Sequence, residues 1–125
     1  MSDYLHQLET VLKEIDGIVN HSFSYDVDED VNLIKIKIKA DFLGGGKFEG
    51  FEFNKISNEV PVKIKYRYNF VFKDQILRWD NAPHHKSVST YPHHLHINSD
   101  VFDSQEPDLK SVLNYILKFI ARIPS

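Results

Sequence analysis

Five of the seven histidines in this 125-residue chain, His84, His85, His93, His94 and His96, fall within thirteen positions of the stretch RWDNAPHHKSVSTYPHHLH from Arg78 to His96. Imidazole changes charge near neutrality and is the commonest metal ligand, so a cluster this dense is a candidate for acid-base work or for metal binding. Two chemistries fit the residue types. In the first, no cofactor is needed. Cleavage of RNA by its own 2'-hydroxyl requires a base, an acid and a positive group on the crowded phosphate; His84, His85, His94 and His96 with Arg78 supply all three, and Asp80 and Asn81 orient them. In the second, His94 and His96, two apart on a strand, join His84 or His85 and Asp80 around a divalent metal such as zinc that activates water. The chain has no cysteine, so such an ion would be held by imidazole and carboxylate alone. A third reading is a non-enzymatic binding protein in which the same residues organise a loop or a partner surface.

These side chains need a rigid support, and the preceding residues provide one. From Val62 to Phe72 the residues Val62, Ile64, Tyr66, Tyr68, Phe70 and Phe72 alternate with Lys63, Lys65, Arg67, Asn69 and Val71, the period of a strand half buried in a sheet. Its length suggests a central position. Lys73, Asp74 and Gln75 make a tight turn, and Ile76 to Trp79 returns antiparallel, delivering Arg78 and Asp80 to the start of the histidine stretch. Tyr66 and Tyr68 share the face of Ile64 and Phe70 and read as core. Pro83 and Pro92 keep the residues before them out of helical conformation, so the histidine pairs rise from extended or turn backbone. His94 and His96 then share one strand face, and His93 points the other way in a structural role.

Earlier in the chain, Ile34, Ile36, Ile38 and Ala40 alternate with Lys35, Lys37 and Lys39, giving a strand with one buried and one basic side. Phe51, Phe53 and Lys55 share a face of a further strand between Phe48 and Ile56. If the two lysine-bearing strands are near neighbours, Lys35, Lys37, Lys39, Lys63, Lys65 and Arg67 form one basic surface beside the histidines. The net charge of -3 conceals this division: residues 31–97 carry 11 Lys and Arg against 6 Asp and Glu, and the flanks carry 4 against 12. A basic middle suits a polyanionic partner. Tyr91 offers an aromatic ring beside it, so the candidate binding residues are Lys35, Lys37, Lys63, Lys65, Arg67 and Tyr91.

The flanks read as helices. Tyr4, Leu8, Val11, Leu12, Ile15 and Val19 recur at spacings of three and four, and so do Leu109, Val112, Leu113, Ile116, Ile120 and Ile123, with Pro107 in the first turn of the second helix and its cap around Ser104 or Glu106. The expected architecture is a single α+β domain spanning 1–125, an antiparallel sheet of five or six strands packed by the N-terminal and C-terminal helices on its apolar face. No secretory leader is read at the start, and Lys110, Asn114, Lys118 and Arg122 interrupt the apolar residues near the end, which points to a cytoplasmic protein without a membrane span.

The run YRYNFVFKDQILRWDNAPHH, from Tyr66 to His85, and TYPHHLHI, from Thr90 to Ile97, resemble the TumE-like family of small toxins from type II toxin-antitoxin pairs. That family carries an R-x-D-N-A-P-H-H signature at the end of a paired strand, followed by an F/Y-P-H-H-x-H segment. The resemblance covers about a quarter of the chain. It implies a cytosolic growth-inhibiting protein neutralised by a cognate antitoxin, often a helix-turn-helix protein encoded beside it. With the basic centre and the acid-base residues, the expected function is that of a toxin acting on RNA as a metal-independent endoribonuclease.

Overall fold

The computed structural model describes residues 2–123. Between a first helix, α1 (Ser2–Glu14), and a last, α2 (Leu109–Ala121), the chain runs as β1 (Ile18–Asp28), β2 (Leu33–Phe42), β3 (Lys47–Ser57), β4 (Val60–Phe72), β5 (Gln75–Asp80), β6 (His94–Ile97) and β7 (Asp100–Asp103). Each strand pairs antiparallel with the next, so the sheet order is the sequence order and β4 is central. The expected α+β architecture is present, with seven strands in place of five or six. The last strand, β7, is a four-residue edge that folds back on β6 through a turn at Asn98, whose φ of 55° is left-handed.

One face of the sheet is apolar and both helices lie on it. Leu5, Leu8 and Leu12 of α1 and Leu109, Val112, Leu113 and Ile116 of α2 are buried in one core with Ile34, Ile36, Ile38, Phe48, Tyr68, Phe70, Leu77 and Trp79. Helix α1 is shorter than the stripe to Val19 predicts. Gly17 takes a φ of 99°, open to glycine and strained for other residues, so the chain reverses there and Ile18 and Val19 enter β1. Helix α2 starts later than expected: Asp108 is its cap and accepts the Ser111 amide at 2.7 Å, leaving Pro107 just outside.

A register shift between Phe53 and Asn54 decides which lysines reach the open face. Phe53 pairs with Lys65 and Asn54 pairs with Lys63, so Ile64 is the extra residue of a β-bulge. Beyond the bulge the alternation of β4 is inverted. Ile64 is exposed, and Lys63, expected on the basic face, turns inward with its side chain only 9% exposed. Its Nζ donates to Tyr68 Oη at 2.8 Å and to Pro107 O at 2.6 Å, and lies 4.0 Å from the fully buried Glu52. Glu52 also accepts from the Tyr4 and Tyr68 hydroxyls and from Asn54 Nδ2. Burial drives the Lys63 pKa down, opposed by the Glu52 charge, and drives the Tyr4 and Tyr68 phenols up, reinforced by that same charge. Lys63 is thus part of a buried polar network that ties β3 and β4 to the helices.

Candidate active site on the open sheet face

Residues paired across antiparallel strands project to the same side, so the register defines the outer face row by row. One row runs Lys37, Phe51, Arg67, Asp80, His94; the next runs Lys39, Glu49, Asn69, Arg78, His96. Arg78, Asp80, His94 and His96 therefore stand together at one end of the face that carries the lysines. Lys35 and Lys65 flank Phe53 in a third row. A shallow groove of about 500 Å³ crosses the face, lined by Lys37, Lys39, Phe51, Arg67 and Arg78 among others. A smaller hollow of about 230 Å³, bounded by Phe51, Arg67 and Asp80, adjoins it.

The segment between β5 and β6 folds over this end of the face. Asp103 accepts both the amide and the hydroxyl of Ser89, Thr90 Oγ1 donates to His93 O, and the Ser104 amide donates to Thr90 Oγ1. These bonds hold the segment where His85 meets His94 and His96, with ring centroids 4.9 and 5.1 Å apart. The covering also explains why His94 and Asp80, which project from an open face, are only 1% and 3% exposed. His84, the neighbour of His85, is exposed, and no metal-ligating group with His94 and His96 includes it among the described residues. Of the two, His85 is the one whose ring meets His94 and His96. Tyr91 is exposed, and Asn81 holds the strand at the bulge, accepting the Tyr66 amide and donating to Ile64 O, both at 3.1 Å. His93 leaves the cluster and stacks on Tyr66, whose hydroxyl shares a hydrogen bond with His93 Nδ1 at 2.9 Å. Burial pushes the Tyr66 phenol above its ordinary value, so it stays neutral there.

Each member of the cluster has a distinct electrostatic setting. His94 Nδ1 lies 2.9 Å from Pro92 O and its Nε2 lies 2.8 Å from Asp80 Oδ1, so both ring nitrogens face oxygen acceptors. Asp80 Oδ1 also accepts the Ala82 amide, and Asp80 Oδ2 lies 3.1 Å from Arg78 Nε. That ion pair is close, yet the N–H direction misses the oxygen, and Nε is left as a buried donor without a hydrogen-bond partner. Arg78 Nη2 donates to His96 Nε2 at 3.3 Å, which identifies Nε2 as the lone-pair nitrogen of His96. Desolvation first, then the charges of Arg78 and His94, hold the His96 pKa below 6.5. A neutral imidazole, a carboxylate-held imidazole and a partly exposed guanidinium can together move a proton and receive an anion.

The three histidines are also the one group that could hold a metal among the described residues, their ligand atoms lying within 4.8 Å of one another. Two nitrogens on a common zinc stand at most about 4.2 Å apart. The rings would have to draw inward, His94 Nε2 would have to leave Asp80 or Nδ1 leave Pro92, and the ion would sit beside the Arg78 cation.

The periodicity that paired His94 with His96 and Arg78 with Asp80 placed four site residues on one face. Phe51 went unassigned although it shares a face with Phe53 and Lys55, a pattern visible in the alternation. The clamp from Ser89 and Thr90 to Asp103 and Ser104 carried no sequence signal. No helix among the described residues is long and apolar enough to cross a membrane. No curated protein and no solved structure matches the chain. A family model described as Toxin TumE matches residues 6–124, nearly the whole sequence, and the chain therefore belongs to the TumE toxin family.

Proposed function

We propose that this toxin-family protein acts in the cytoplasm as a metal-independent endoribonuclease, held in check by a cognate antitoxin of the helix-turn-helix kind. The observation that carries the reading is the convergence of Arg78, His85, His94 and His96 at the end of a basic groove. Lys35, Lys37, Lys65 and Arg67 guide the phosphate backbone across the face, and Arg78 opposes the charge of the phosphate that reacts. Once that phosphate draws the guanidinium away, His96 Nε2 takes the proton of the adjacent 2'-hydroxyl. The 2'-oxygen bonds to phosphorus, the bond from phosphorus to the 5'-oxygen breaks, and protonated His85 returns a proton to that leaving oxygen. The products are a 2',3'-cyclic phosphate and a free 5'-hydroxyl. Asp80 orients His94 and Arg78 from below.

The histidine trio favours one alternative, a divalent ion held by His85, His94 and His96 that activates water. One experiment separates the readings: express the chain without its neighbour, record growth arrest, and incubate purified protein with total RNA with and without chelator. Arrest with fragments that survive chelation and end in cyclic phosphate is expected. Loss of cleavage with chelator, restored by zinc, moves the assignment to the ion. Arrest over intact RNA rejects the nuclease.

A further inference from the structure

Strand β3 is built against the usual rule of apolar inside and polar outside. Its inward positions after Phe48 are Gly50, Glu52 and Asn54, and its outward positions are Glu49, Phe51 and Phe53. The inward phase is set by Phe48 in the core and by Gly50, where a Cβ would stand 3.2 Å from both the Phe48 and Tyr68 rings. Glu52 and Asn54 are tolerated inside because tyrosine hydroxyls and Lys63 satisfy the carboxylate. The consequence is two phenyl rings, partly exposed, on a face that no helix covers. Phe51 stands between Lys37 and Arg67, and Phe53 between Lys35 and Lys65. Phe51 borders both hollows of the face.

We infer that Phe51 and Phe53 are base-stacking platforms, so that the strand laid on this face is single-stranded RNA with its bases against the sheet. The inference rests on the RNA reading and adds to it the form of the substrate and its subsite. Aromatic rings interleaved with cations are what an unpaired strand needs, since every base has a face to stack and every phosphate a charge to neutralise. A duplex hides its base faces and offers only its backbone. From Phe51 on β3 to His94 on β6 is three inter-strand steps, about 14 Å at the usual strand spacing. Phe51 would thus hold a base a few nucleotides from the reacting phosphate, along the row that passes Arg67.

The test uses the full chain and a fluorescent 2'-O-methyl oligonucleotide, which lacks the attacking hydroxyl and separates binding from cleavage. Anisotropy titrations are run with the single strand and with its blunt duplex, on wild type and on Phe51→Leu, Phe53→Leu and Phe51→Tyr proteins of unchanged thermal midpoint. Loss of about tenfold in single-strand affinity for each leucine variant, with Phe51→Tyr binding like wild type and the duplex binding more weakly than the strand, is the expected result. Leucine variants that bind the strand like wild type, or a duplex bound as tightly as the strand, overturn the stacking and leave the RNA reading standing. Absence of any binding by the wild type overturns both.

Discussion

Asp80 Oδ1 stands 2.8 Å from His94 Nε2, and both side chains are almost wholly shielded from water although they rise from the sheet face that carries no helix. The covering segment between β5 and β6 makes that contact a buried one, and Asp80 also anchors Arg78 and the Ala82 amide. Replacing Asp80 by Asn turns one acceptor oxygen into a donor that faces Arg78 Nε or His94 Nε2. The expected loss is about 3 kcal/mol of stability in a urea titration, together with loss of growth arrest. A variant that unfolds like wild type and still arrests growth would remove Asp80 from the site.

His96 predicts a pH dependence. Its folded-state pKa is held below 6.5 by burial, Arg78 and His94, so the neutral base persists into mildly acidic solution. The acid limb of the cleavage profile should therefore fall below pH 6.5, and Arg78→Gln, which removes one of the causes, should move that limb upward on a reduced rate. The same depression has a stability consequence of defined sign: the unfolded chain binds the proton more readily, so the contribution is complete above the unfolded value and is lost as pH falls through the folded one. Thermal midpoints should drop more steeply on acidification for wild type than for His96→Asn.

His84 and His85 are adjacent in sequence and unlike in place. His85 rings meet His94 and His96, and His84 is exposed. His85→Ala should abolish arrest and lower cleavage by at least about a hundredfold, the range for loss of a positioned acid, whereas His84→Ala should stay within a few fold of wild type. The reverse order would transfer the acid to His84.

Salt dependence separates the lysines. Each phosphate contact on a single strand contributes about 0.7 to the slope of log affinity against log salt. Lys37→Ala should lower that slope by roughly this amount. Lys63→Met should leave the slope unchanged and destabilise the fold by about 3 kcal/mol, because Glu52 loses its buried cation. Equal slopes for Lys37→Ala and wild type would mean that Lys37 touches no phosphate.

Local periodicity was enough for much of the domain. The alternation from Tyr66 to Trp79 determined a hairpin that carries Arg78 and Asp80 on one side, the lysines of β2 determined its solvent face, and two helical stripes determined what covers the other. Facing within a strand depends only on neighbours in sequence, so these features are legible without contacts. The bulge at Ile64 is different, because one unpaired residue inverts the facing beyond it, and the inversion is settled by whether Glu52 and Lys63 meet across β3 and β4. The choice of His85 over His84 depends on where Ser89 and Thr90 are tied to Asp103 and Ser104, across the sheet edge. Residue types and spacing determined that this chain carries a histidine cluster beside a basic strand; which histidine enters the cluster, which lysine leaves the face and which phenylalanines stay on it were decided by pairing between strands, since those energies belong to contacts distant in sequence.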